Sequence, residues 1–149
     1  MNAEPALHAT CVARYRPGGW RALMIAGPSG AGKSDLALRL IGRGWRLVGD
    51  DYVQVWASDG ALYAAPAERI AGRIEVRGLG LMTEPFLPLA RLALRVECTH
   101  GPVERMPEPA FWTHAGISLP TLSLDPRTPS AADVAARGLV ALSPDDGLA

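Results

Sequence analysis

Residues 27–34, Gly-Pro-Ser-Gly-Ala-Gly-Lys-Ser, meet the pattern G-x-x-x-x-G-K-[ST] at every fixed position, and each fixed position has a chemical task. The glycines let the backbone turn so that successive N–H groups point inward at phosphate oxygens. A helix that starts where the loop ends adds its positive terminus. The Lys33 ammonium reaches the terminal phosphates, and the Ser34 hydroxyl is set to ligate Mg²⁺. Lys33 is the chain's only lysine, against fourteen arginines. A guanidinium fork is too bulky for a tight phosphate cradle, so this position keeps a compact ammonium. A chance match in a glycine-rich loop is the plain alternative. A strand before the loop and a helix after it argue against that.

Two adjacent carboxylates, Asp50 and Asp51, close the stretch WRLVGDD, residues 45–51. They stand at the C-terminal end of a short apolar run that follows the loop's helix. This order predicts a βαβ unit in which the second strand lies beside the strand that feeds the loop. Ligands gather at the carboxyl ends of such strands. One carboxylate there would hold Mg²⁺, directly or through water, and the second would accept a proton from an incoming hydroxyl. Taken alone, an Asp-Asp pair also reads as an exposed turn.

The flanking segments must carry these groups. LHATCVARYRPGGWRALMIAG reads as two β runs joined at Pro17-Gly18-Gly19, the second (Ala22 to Ala26) leading into the loop. From Lys33 a helix places Leu36, Ala37, Leu40 and Ile41 on one face, and Gly44 can end it. YVQVWASDGALYAAP is strand, Asp59-Gly60 turn, strand. AERIAGRIEVRGLGLM reads as a short helix and a glycine-containing loop, and LARLALRVEC as an apolar strand. HGPVERMPEPAFWTHAG is loop-like, ISLPTLSL extended, and PSAADVAARGLVAL a helix begun near Ser130, with a frayed tail SPDDGLA. The fold class predicted is α/β: one domain over residues 1–149, with a mixed sheet, the phosphate-loop helix against it, and extra hairpins.

Composition agrees with a globular domain: 48% apolar, 20% charged, fifteen basic against fifteen acidic side chains. A neutral chain lacks the basic face that nucleic acid requires, and no apolar run has the length of a membrane span. Cys11 and Cys98 have neither zinc-ligand spacing nor a disulfide framework, and the N-terminus has no apolar signal core, which points to a cytoplasmic setting.

The stretch GPSGAGKSDLALRLIGRGWRLVGDD, followed by IEVRGLGL, resembles the catalytic domain of HPr kinase/phosphorylase. That bacterial enzyme phosphorylates a serine of the phosphocarrier protein HPr and can reverse the step. Its second signature, a Glu-Ile-Arg-Gly-Leu-Gly-like loop, is matched by residues 75–80. A histidine ahead of the phosphate loop is matched by His8, and an arginine beyond the second signature by Arg105. The resemblance is strong over residues 6–82 and loose beyond them. It implies a phosphoenolpyruvate-carboxykinase-like fold, Mg²⁺, ATP or pyrophosphate as donor, an HPr-type partner and a homo-oligomer, hexameric in the family.

Carried over, Gly27, Pro28, Ser29, Gly30, Ala31, Gly32, Lys33 and Ser34 would bind phosphate, and Ser34, Asp51 and Glu75 would serve the metal. Asp50 would be the general base, and in reverse the general acid, with His8 beside the phosphate supporting it. Arg77 and Arg105 would steady the transferring phosphoryl group. On residue type alone, His8 is a solvated side chain and Glu75 with Arg77 a surface pair. The family's N-terminal domain is expected to be absent, because nothing fits ahead of Ala6, and the segment from Leu81 to Arg105 is short. This shortened form looks like the stand-alone catalytic domain of some proteobacteria, whose partner is an HPr of a nitrogen-related phosphotransferase system. A small-molecule kinase and a non-catalytic nucleotide sensor remain alternatives at this level.

Overall fold

The structure is a computed structural model and describes residues 5–143. Strand β1 (Ala9–Arg16) turns at Pro17-Gly18 into β2 (Gly19–Ala26), and the two pair antiparallel with Tyr15 opposite Trp20. Side-chain alternation splits the pair between two cores. Val12, Leu23 and Ile25 enter one, and Cys11, Ala13, Ala22 and Met24 enter the other. Helix α1 (Lys33–Ile41) buries Leu36, Ala37 and Leu40 in the first core. It closes at Ile41, and Gly44 takes a left-handed φ of 96° in the turn that follows.

Strand β3 (Arg46–Gly49) ends at the paired aspartates, but it pairs antiparallel with β1 and not with β2. The expected neighbouring βαβ pair is therefore corrected. The β1–β2 hairpin already occupies that edge of β2, so the crossover lands one strand further out. Because β1 is antiparallel to both, β2 and β3 still run the same way. Their carboxyl ends remain at one end of the sheet.

Strands β4 (Val53–Ser58) and β5 (Ala61–Pro66) form a hairpin around Asp59-Gly60, both at positive φ. A 3₁₀ turn (Glu68–Ile70) supplies the short helix expected there. The glycine-containing loop expected next is in fact a hairpin of β6 (Arg73–Val76) and β7 (Gly80–Thr83). Strand β8 (Ala90–Cys98) runs parallel to β2, and its other edge is shared: β5 pairs with its start and β10 (Ile117–Leu124) with its end. Within the segment expected to be a loop, Ala110–His114 forms the edge strand β9. The sheet thus has eight strands on the path β3-β1-β2-β8-β10-β9, with β4 and β5 attached through β8, and it is mixed as expected.

Helix α2 (Ala131–Leu142) joins α1 on one face, where Ala131, Ala132, Ala135 and Leu139 complete the first core. The β4–β5 hairpin contributes Val53, Val55, Leu62 and Ala64 to the second. Both cysteines are free and buried. Cys98 lies under the phosphate loop, where a Cβ added at Gly27 would come 3.0 Å from its own Cβ. No helix among the described residues is long and apolar enough to cross a membrane. The expected frayed tail falls, from residue 144 on, outside the described residues.

Candidate active site

The phosphate loop connects β2 to α1, and its geometry depends on glycine. Gly32 caps α1 at φ 104°, a left-handed conformation, and a Cβ there would approach Pro126 Cγ to 3.1 Å. No side chain caps the helix, and the first-turn amides have no intrahelical acceptor. Lys33 is buried, and its Nζ donates to the carbonyls of Gly27 (2.8 Å) and Pro28 (3.0 Å). Two of its three donors thereby pull the ammonium across the loop, and one remains for a ligand.

The two aspartates have opposite surroundings. Asp50 is buried and accepts three hydrogen bonds: Thr10 Oγ1 (2.8 Å) and Ser34 Oγ (2.7 Å) on one oxygen, the Glu75 amide (3.0 Å) on the other. It ties β1, α1 and β6 together at the sheet's end. Asp51 is exposed and holds a left-handed φ of 69°, uncommon away from glycine. His8 Nε2 donates to its Oδ1 at 3.1 Å, and the His8 ring lies 5.1 Å from that of Tyr52. His8, expected beside the phosphate in support of Asp50, lines the cavity with the phosphate loop and bonds Asp51 instead. β3 ends in a turn, and consecutive residues there face opposite ways.

A cavity of roughly 380 Å³ brings together the phosphate loop, Ser34, His8, Asp51, Glu75 and Arg77. Glu75 and Arg77 arrive from the β6–β7 hairpin, whose backbone Asp50 anchors. Arg105, expected to steady the phosphoryl group, is not among the cavity's lining residues. It lies exposed in the loop leading out to edge strand β9. Arg127 lines the cavity instead, from the turn after β10. Its signal in the sequence was an Asp-Pro-Arg step directly after an extended run, where the strand-end rule applies as it does to Asp50.

Among the described residues, no three His, Cys, Asp or Glu side chains converge as a cage for a metal. The donors present are a hydroxyl and carboxylates: Ser34 bonded to Asp50, with Glu75 next to them. This all-oxygen set fits Mg²⁺, which takes one or two protein oxygens together with waters and substrate phosphates.

A family model described as HPr Serine kinase C-terminal domain matches residues 1–84. The HPr kinase/phosphorylase of Clostridium tetani is 43% identical over 87 residues, covering 58% of this chain and 27% of that protein. The protein of the same name from Streptococcus thermophilus (strain LMD-9) is 49% identical over 61 residues, covering 40% of this chain and 20% of that one. These matches thus span about a quarter of the relatives' length. The solved structure of the Hpr(Ser) kinase/phosphatase from Coxiella burnetii superposes with a TM-score of 0.76 at 20% identity, covering 92% of this chain and 94% of that one. At that identity the likeness is one of fold, and it extends over the residues beyond 84.

Proposed function

Because the chain belongs to the HPr serine kinase C-terminal domain family, we propose that it transfers a phosphoryl group from ATP or pyrophosphate to a serine of an HPr-type phosphocarrier, and can run the step in reverse. The observation that carries the reading is one cavity holding a phosphate loop, an exposed carboxylate with its histidine, and two arginines.

The geometry favours exchanging the roles expected within the aspartate pair. Both Asp50 oxygens are engaged by three donors, so Asp50 suits a structural and metal-side task beside Ser34. Asp51 opens to the cavity with a single side-chain partner, so it suits proton acceptance. In the forward step Asp51 takes the proton of the substrate serine, and the serine oxygen attacks the terminal phosphorus of the donor. His8 holds the Asp51 carboxylate in line, and Lys33 with the loop amides binds the leaving phosphates. Mg²⁺, held by Ser34 and Asp50 with Glu75 nearby, would neutralise charge between the donor phosphates. Arg77 and Arg127 steady the phosphoryl oxygens. In reverse, an oxygen of inorganic phosphate attacks phosphoserine, Asp51 returns the proton to the serine oxygen, and pyrophosphate leaves.

The test incubates the purified chain with ATP, Mg²⁺ and HPr. Phosphoserine on HPr is the expected product, and adding inorganic phosphate to phosphoserine-HPr should release pyrophosphate. Nucleotide binding without transfer to any protein would overturn the reading.

A further inference from the structure

We infer that Asp125 is a positioning residue that holds Arg127 ready for a phosphoryl oxygen at the mouth of the phosphate loop. The inference builds on the reading of the cavity as a phosphate site. Asp125 follows β10 directly and is buried. Arg127 donates to it in a fork, Nε to Oδ1 at 3.0 Å and Nη2 to Oδ2 at 2.9 Å, and its amide donates to Oδ1 at 2.9 Å. The Gly101 amide donates to Oδ2 at 2.9 Å, so the same carboxylate fastens the loop after β8.

The turn is pinned from the other side as well. Pro126 packs on Gly32 of the phosphate loop, and Arg39 of α1 donates to the Pro126 carbonyl. The ion pair is therefore anchored at one end and open at the other. The Asp125 side chain is 10% exposed, while that of Arg127 is 60% exposed and lines the cavity.

The fork consumes two of the guanidinium's five N–H donors and leaves three, two of them side by side on the outer edge. Three donors on a plane held by a carboxylate match the oxygens of a phosphoryl group. Holding the long side chain in one rotamer beforehand removes the ordering cost that a free arginine would meet on binding. The side-chain bonds from Arg127, and then the amides of Gly101 and Arg127, keep Asp125 ionised well below the usual carboxylate range. The grip is thus present at every pH at which the site would work.

The test fills the phosphate loop with Mg²⁺-ADP and titrates inorganic phosphate by calorimetry, with no protein substrate present. Asp125→Asn and Arg127→Ala should each weaken phosphate binding by roughly ten- to hundredfold, with ADP affinity unchanged. The double variant should be no weaker than Arg127→Ala alone, because Asp125 acts through Arg127. Arg127→Lys leaves Asp125 in place and keeps the charge, but an ammonium cannot offer the fork, so it should lose affinity too. The inference is overturned by phosphate affinity retained in Asp125→Asn or Arg127→Lys, by losses that multiply in the double variant, or by a parallel loss of ADP affinity. Absence of phosphate binding by the unaltered chain overturns it as well. If phosphate binds as expected while HPr is never phosphorylated, the proposed function falls and this inference stands.

Discussion

At the scale of single residues, the aspartate pair shows two identical side chains given different work by what surrounds them. Asp51→Asn should lower turnover by about 10²–10⁴-fold, the usual cost of removing a general base, with the melting temperature unchanged. Asp50→Asn should also cost stability, by roughly 1–3 kcal/mol, because its NH₂ would face a hydroxyl or the Glu75 amide, all donors in the present network. Single-turnover assays and thermal melts on both variants separate the two, and a stable, inactive Asp50→Asn beside a destabilised Asp51→Asn would sink the assignment. Lys33→Arg should fail despite keeping the charge, since the ammonium lies buried between two loop carbonyls at 2.8 and 3.0 Å. Phosphoryl transfer near the normal rate in that variant would refute this. Lys33, Ser34 and the Asp pair were legible in the sequence because the motif spacing is short-range. Which aspartate faces the cavity was not, because the left-handed turn at Asp51 and the arrival of Thr10 and Glu75 are set by tertiary packing.

At the scale of elements, strands were legible where one face is buried and a turn is chemically marked. Pro17-Gly18-Gly19 and Asp59-Gly60 both announced their hairpins. The β6–β7 hairpin was hidden because all four β7 residues are exposed, so no alternation marks the strand. The position of β3 was hidden for another reason: crossover order predicts a neighbour, and only the competing β1–β2 hairpin decides which edge is free. Arg127 was overlooked because it enters from the turn after β10, two strands from β2 in the sheet and more than ninety residues from the phosphate loop in sequence. Gly49, the last residue of β3, shows how closely these elements meet. A Cβ there would come 2.7 Å from Val53 Cγ1 and 3.2 Å from the Pro66 backbone. Gly49→Ala should therefore lose about 1–3 kcal/mol, the usual cost of overpacking, as a lower urea midpoint. An unchanged midpoint would mean that the β4–β5 hairpin yields freely.

At the scale of the whole molecule, the Asp125 clasp joins the loop after β8 and the turn after β10, beneath the phosphate loop. Its carboxyl is held ionised below its ordinary value of 3.8. The stabilisation is therefore complete above that value and is lost as pH falls beneath it. Urea midpoints should drop progressively as the pH falls from about 4 downward, and the drop should be smaller in Asp125→Asn. Equal drops would remove Asp125 from the acid response. The two thiols are clocks for two different motions. Burial pushes Cys98 up to about 11 and raises Cys11 further, so neither reacts while shielded. Cys11 sits in β1, flanked by β2 and β3, and comes into reach only when the sheet itself comes apart. Cys98 needs only the loop at Gly27 to lift. Thiol labelling should then run in two phases, the faster at Cys98. A ligand that clamps the phosphate loop should slow the fast phase far more than the slow one, so the protein carries a built-in reporter of its own breathing.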